Sequence, residues 1–359
     1  MTGTTRDTTN PDTTTHADDV APVPIVDMSG YLDGSDDDRR RIAADLTKAC
    51  EEIGFVLLSG HGVPDRIIED FYAVSKRFFE LPLEQKRQVR SPVDNLFQGY
   101  AHPGPNRGDH TSERQSFNVF RYDTLAEAVA LGYDTDMDGI FLEALWPAEP
   151  AEFREVWRAY FEEMEALARR ILHLVELGLE IPAGTLTAMV ERDTSTQAAN
   201  YYSDDIESGH EPSPFRFKAH MDGSVITILY QDDGPGSLQL HQRGAGWRDV
   251  APVAGTFVMN IGEVMARWTN DRFVATPHRV LKPSPSESST PRISAPFFLK
   301  PAVDAVVGPL DVLVADGDDP HYPTMSGRGW LTKGQADIYA GNDSTKQFEA
   351  LAAANPALR

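Results

Sequence analysis

The residues best suited to chemistry are His220 and Asp222, in Phe217-Lys218-Ala219-His220-Met221-Asp222-Gly223. In an extended segment, residues i and i+2 leave the backbone on the same side. An imidazole and a carboxylate can therefore enter one pocket together. A third donor is available far downstream, His278 in Ala275-Thr276-Pro277-His278-Arg279-Val280. Two histidines and one carboxylate on one face of an octahedral metal leave the opposite face open, the arrangement non-haem iron(II) uses to activate oxygen. A lone H-x-D pair arises by chance in a chain with 10 histidines. The context favours a ligand set: Phe215, Phe217 and Ala219 precede it and Val225, Ile226, Ile228 and Leu229 follow. A carboxylate buried in such company must be paired or metal-bound.

A second constellation is Arg292-Ile293-Ser294, at the head of the apolar run Ala295-Pro296-Phe297-Phe298-Leu299. By the same alternation Arg292 and Ser294 share a face, and a guanidinium beside a hydroxyl is a receptor for a carboxylate. The charges agree. Iron(II) with one aspartate and two neutral histidines carries one positive charge. A dicarboxylic oxo-acid reverses it, and Arg292 restores neutrality. Left without an anionic partner, Arg292 would be costly in this strand.

The elements that position these residues follow from periodicity. Residues 1–22 are rich in Thr, Asp and Asn and are expected to form a disordered tail. Order should begin at the strand Val23–Met28. Helical spacing follows over 37–53 (Ile42, Leu46, Cys50, Ile53), then a strand over 54–59, a helix over 64–80, and the longest helix from Pro150 to Leu177. Gly178 is placed to end it. A shorter helix is expected over 183–192. A loop over 94–114, rich in Gly, Pro, His and Asn, is long enough to be functional, and Ser116–Arg121 alternates as a strand. His61, His102 and His110 read as structural or solvated residues. Beyond residue 195 the pattern changes to short strands at about 197–202, 215–221, 225–231, 237–241, 256–261, 265–268, 272–275, 278–282 and 291–299, separated by turn residues. Many short strands imply an antiparallel barrel or jelly roll. A closing helix is expected near 331–350.

Composition sets the outer bounds. The chain has 359 residues, 41% of them hydrophobic, and at this length can bury roughly three quarters of its unfolded surface. A net charge of −22 argues against nucleic acid or an anionic membrane as partner. The single cysteine, Cys50, reads as a buried apolar residue and makes no internal disulfide, so a cytoplasmic protein is expected. There is no signal-peptide pattern and no span-length apolar run. With no linker between the halves, residues 23–359 are expected to form one domain: a helical and strand part (23–195), a jelly-roll core (196–305) and a C-terminal segment (306–359) that, like the 94–114 loop, is a candidate lid.

H-x-D, a histidine in an H-R-V context and R-x-S on the last core strand together resemble the iron(II)/2-oxoglutarate-dependent oxygenases, in the subgroup containing isopenicillin N synthase. The resemblance covers about residues 23–305. Pro24-Ile25-Val26-Asp27, Gly60-His61-Gly62-Val63, Ala199-Asn200-Tyr201-Tyr202 and Gly236-Ser237-Leu238-Gln239-Leu240 fit the same order. It implies an α+β chain with a mainly β, double-stranded β-helix core buttressed by N-terminal and central helices. It implies Fe(2+) on His220, Asp222 and His278, and 2-oxoglutarate held by Arg292 and Ser294 with help from Tyr202 and Asn200. O₂ would be the oxidant and a small secondary-metabolite or amino acid-derived molecule the substrate, as in antibiotic biosynthesis. Hydroxylation is the default outcome, with desaturation, ring formation or ring expansion also within reach. The alternative is an iron oxidase that dispenses with 2-oxoglutarate, as isopenicillin N synthase does. Phe117, Asn118, Arg121, Leu238, Met259 and Phe298 are the candidates for contact with substrate.

Overall fold

The computed structural model describes residues 20–91, 98–102, 114–133, 142–203, 215–232, 238–283, 291–315 and 317–339, with side chains to 334. The tail expected over 1–22 and most of the 94–114 loop, including His110, lie outside the described residues.

Fourteen strands are seen among the described residues: β1 Ile25–Asp27, β2 Phe55–Ser59, β3 Gly99–Ala101, β4 Gln115–Phe120, β5 Thr196–Tyr202, β6 Phe215–His220, β7 Ile226–Gln231, β8 Leu238–Gln242, β9 Gly246–Asp249, β10 Phe257–Ile261, β11 His278–Leu281, β12 Arg292–Leu299, β13 Val306–Val307 and β14 Met325–Ser326. The helices are α1 Gly30–Asp33, α2 Asp36–Glu52, α3 Asp65–Phe79, α4 Leu83–Arg87, α5 Leu125–Ala130, α6 Phe153–Gly178, α7 Glu263–Trp268 and α8 Gly327–Tyr339. Eight strands form a major sheet in the order β1-β2-β10-β7-β12-β5-β4-β3, and four form a minor sheet, β6-β11-β8-β9. Only β1 and β2 run parallel. The two sheets make the double-stranded β-helix.

The helices cover the outer face of the major sheet. Along α6, Phe153, Trp157, Tyr160, Phe161, Met164, Leu167, Ile171, Leu174 and Val175 are buried, a stripe at helical spacing. It packs with Ile226, Ile228, Met259 and Phe297 from the sheet. Burial of each such side chain contributes about 1.5–3 kcal/mol. Helix α2 starts at a capping box: Ser35 Oγ accepts from Asp38 N (3.2 Å), and Asp38 Oδ2 accepts from Ser35 N (2.9 Å). A separate apolar cluster, Phe55, Leu57, Leu238, Leu240, Val250 and Val258, fills the space between the sheets.

Three expectations fail locally. Residues 265–268 belong to α7 rather than to a strand, and 272–275 form no strand. Val264, Met265, Ala266 and Trp268 are all buried, and a short apolar run buried on every side carries no period by which to tell helix from strand. The helix expected over 183–192 is only a 3₁₀ turn, Thr187–Val190. Among the described residues no helix is long and apolar enough to cross a membrane.

Candidate metal centre and oxo-acid receptor

Strand β6 ends at His220 and β11 begins at His278, and the two residues face each other across the antiparallel ladder. Cross-strand partners send their side chains to the same face, so the imidazoles stand together with centroids 4.3 Å apart. Asp222 follows in the turn to β7. Its Oδ1 lies 3.6 Å from His220 Nε2 and 3.7 Å from His278 Nε2. One ligand atom from each residue falls within 4.8 Å of the others.

The surroundings decide which atoms face the centre. His220 Nδ1 is 2.8 Å from the Lys218 carbonyl, and His278 Nδ1 is 3.2 Å from the Thr276 carbonyl. A carbonyl can only accept, so each Nδ1 carries the proton and each Nε2 presents a lone pair. Asp222 Oδ2 accepts from Thr227 Oγ1 (2.6 Å) and Asn260 Nδ2 (2.9 Å), which leaves Oδ1 turned to the imidazoles. Burial, then His278, depresses the His220 pKa to about 3. Burial pushes the Asp222 carboxyl up, but His278, His220, Thr227 and Asn260 outweigh it and hold it below its ordinary value. Neutral imidazoles beside an ionised carboxylate are the donor set a divalent ion needs. Phe217 stands edge-on to His220 and Phe55 to His278, fixing both rings.

Arg292, only 3% exposed, lies in the same barrel. It pairs with Tyr202 across β12 and β5, and Ser294 pairs with Asn200 on one side and Gln231 on the other. Asn200 Nδ2 donates to Ser294 Oγ at 3.4 Å. Arg292 Nη2 donates to Gln231 Oε1 (3.0 Å), and its Nε lies 3.3 Å from Asp232 Oδ1. Asp232 in turn accepts from Ile293 N and from Tyr72 on α3. The buried guanidinium thus has a resident counter-charge, which the sequence reading missed. A buried arginine always requires an acceptor; the earlier assignment of that role to the oxo-acid alone passed over Asp232 at the end of β7.

The six substrate candidates divide. Phe298 lies on the Ser294 side of β12 and opposite Thr227, whose hydroxyl holds Asp222. Asn118 pairs with Ala198, on the side of β5 that carries Asn200. Leu238 belongs to the apolar cluster between the sheets. The other three face away from the metal residues. Phe117 packs edge-on against Phe78, Phe153 and Trp157, and Met259 lies in the same outer core. Arg121 pairs with Glu165 of α6 at 3.3 Å. Strand parity explains this: in a sheet buried on both faces, alternation divides residues into two sets without saying which set faces the site. His61 is a buried structural residue, accepting from Val63 N and packed on Phe257. Residues that the motif reading missed are Thr227, Asn260, Gln231, Asp232 and Arg114. Asn260 alone had a sequence signal, a polar residue amid Phe257-Val258-Met259 and Ile261.

Comparison with known proteins agrees with this geometry. Residues 23–149 match the N-terminal family of non-haem dioxygenases in morphine synthesis, and residues 194–301 match the 2OG-Fe(II) oxygenase superfamily. A validamycin A dioxygenase of Streptomyces hygroscopicus subsp. limoneus is 29% identical over 304 residues, covering 82% of this chain and 81% of its own. A homoarginine-6-hydroxylase of Glycine max is 28% identical, covering 82% and 90%. A full-length Neurospora crassa enzyme crystallised with alpha-KG superposes with a TM-score of 0.77 at 23% identity, over 90% of this chain and 98% of that one. The two family matches together span well over half of the sequence, and the chain belongs to the iron(II)/2-oxoglutarate-dependent oxygenases. It is a non-haem iron dioxygenase with 2-oxoglutarate as co-substrate.

Proposed function

We propose that His220, Asp222 and His278 hold the iron and that Arg292 and Ser294 receive the distal carboxylate of 2-oxoglutarate. The substrate is a small secondary-metabolite or amino acid-derived molecule, and hydroxylation is the outcome. The observation that carries this reading is the convergence of two Nε2 lone pairs and Asp222 Oδ1 on one point, with the buried Arg292 in the same barrel. The named substrates of two relatives, validamycin A and homoarginine, are of this kind.

Bound iron(II) supplies the centre at which O₂ and the oxo-acid react, giving succinate, CO₂ and oxidised substrate. The rest is the work of the chain. Thr227 and Asn260 fix the carboxylate oxygen, and the Lys218 and Thr276 carbonyls fix both imidazole tautomers. Asn200 orients the Ser294 hydroxyl, and Gln231 and Asp232 hold the guanidinium. Tyr202, across from Arg292, lies within the same receptor. The apolar wall of Phe55, Leu238 and Leu240 excludes water. The single cysteine, buried at Cys50, suits a reducing cytoplasm.

The test is anaerobic addition of Fe(II) and then 2-oxoglutarate to purified protein. A visible metal-to-ligand charge-transfer band is expected, followed by succinate release on admitting O₂. Substrate oxidation without succinate would instead favour the oxidase that dispenses with the oxo-acid.

A further inference from the structure

The chamber around the metal residues is basic, although the chain as a whole carries −22. Arg114 lies two residues before Ser116, which pairs with Asn200. Its Nε donates to Asn200 Oδ1 at 2.9 Å. Its guanidinium covers the Phe217 ring at 4.0 Å, and that ring meets His220 at 4.2 Å. The guanidinium is thus held between Asn200 and the His220 side of the metal centre. Arg216, buried, lies over Tyr202 at 5.3 Å. Lys300 is 8% exposed and follows β12 at the end beside the Asp222 turn, where Val225 N donates to the Leu299 carbonyl. Strand alternation puts it on the side of Arg292, Ser294 and Phe298. Asp222 is the acid whose charge acts on it.

The acids of this chamber are already engaged. Asp222 faces the metal position, and Asp232 faces Arg292. Counting iron(II) and both carboxylates of 2-oxoglutarate, Arg114, Arg216 and Lys300 still leave a surplus of positive charge. Burying like charges together is costly unless an anion joins them. The oxo-acid does not supply enough negative charge, and the remaining occupant of the chamber is the substrate.

We propose that the substrate is an anion, a small carboxylic acid or a comparable oxyacid, and that Arg114 is the specificity-determining residue that receives its acid group, with Lys300 supplying a second positive charge. This rests on the oxygenase reading and deepens it. A planar guanidinium already stacked on an aromatic ring and braced by Asn200 presents its remaining N–H groups in a fixed fork, the form that binds carboxylate in two-pronged fashion.

The experiment measures succinate formed from 2-oxoglutarate with Fe(II) and O₂, in the presence of small carboxylic acids and, separately, their methyl esters. In the wild type, the compounds that stimulate turnover should be acids, by about tenfold or more over their esters, the scale of one charge-assisted contact. Arg114→Gln should bring the acid-to-ester ratio towards one, Arg114→Lys should keep part of it, and Lys300→Met should reduce it to a lesser extent. The ratio is internal to each preparation, so partial misfolding does not move it. Esters that stimulate as well as acids, a panel in which no acid stimulates, or an Arg114→Gln protein with the wild-type ratio would each overturn the proposal. So would a rise in the KM for 2-oxoglutarate with the ratio intact, which would assign Arg114 to the oxo-acid. Failure of the underlying oxygenase reading is separable, since it would show as no charge-transfer band and no succinate under any condition.

Discussion

The chemistry of single side chains turns on which of their atoms are already engaged. Asp222 has one oxygen committed to Thr227 and Asn260 and the other turned to the imidazoles. Removing the amide should loosen the carboxylate without touching a ligand. Asn260→Ala is therefore expected to lower Fe(II) affinity by roughly 10- to 100-fold, read by competition with a chelator; wild-type affinity would show that Asn260 plays no part in positioning. Arg292→Ala should weaken 2-oxoglutarate binding by about 3–5 kcal/mol, the scale for breaking a buried charge pair, seen as a higher concentration needed to develop the charge-transfer band. An unchanged titration would remove Arg292 from the receptor. The triad and the Arg292–Ser294 pair were legible in the sequence because strand alternation is local. Asp232, Gln231 and Arg114 were not, because their places depend on the register of β7, β12, β5 and β4, which no short pattern encodes.

At the scale of elements, α6 was readable from end to end because its stripe keeps one period over its whole length. Helix α7 was not, being a short apolar run buried all round. Where α6 crosses α2, Gly178 is a packing requirement as well as a stop signal: a Cβ there would collide with Thr47 Oγ1 and the Ala43 carbonyl. Gly178→Ala should cost about 1–3 kcal/mol, measured as a lower denaturant midpoint with unchanged slope. Midway along α6, Glu165 carries a proton at neutral pH that an exposed glutamate would not. Burial, then the nearby Asp193, raises its pKa to about 7, and Arg121 only partly offsets them. The folded state thus binds an extra proton between the ordinary glutamate value and about pH 7. The associated stability is fully present below that window and is lost as pH rises through it, up to about 3 kcal/mol. Glu165→Gln should flatten the dependence of Tm on pH between about 5 and 7. A variant that keeps the wild-type slope would locate the proton on another group.

Across the whole molecule, the C-terminal helix and the metal turn are joined by one hydrogen bond. Trp330 Nε1 of α8 donates to the Gly223 carbonyl at 2.8 Å, the residue directly after Asp222. The indole also lies under Arg267 of α7, and Leu331 packs with Phe120, Tyr122 and Tyr133. The C-terminal segment therefore braces the loop that carries a metal ligand. Trp330→Phe keeps most of the packing and removes the donor, leaving a carbonyl unsatisfied at a cost of about 1–3 kcal/mol. Because that cost falls on the Asp222 turn, loss of iron to a chelator should accelerate. Trp157 provides the control. It is buried in the α6 core, its Nε1 has no hydrogen-bond partner in the structure, and it sits on the far side of the major sheet. Trp157→Phe should therefore lower stability by a comparable amount through packing while iron loss keeps its wild-type rate. Equal rates of iron loss in the two variants would mean that α8 stabilises the fold in general and does not brace the metal turn.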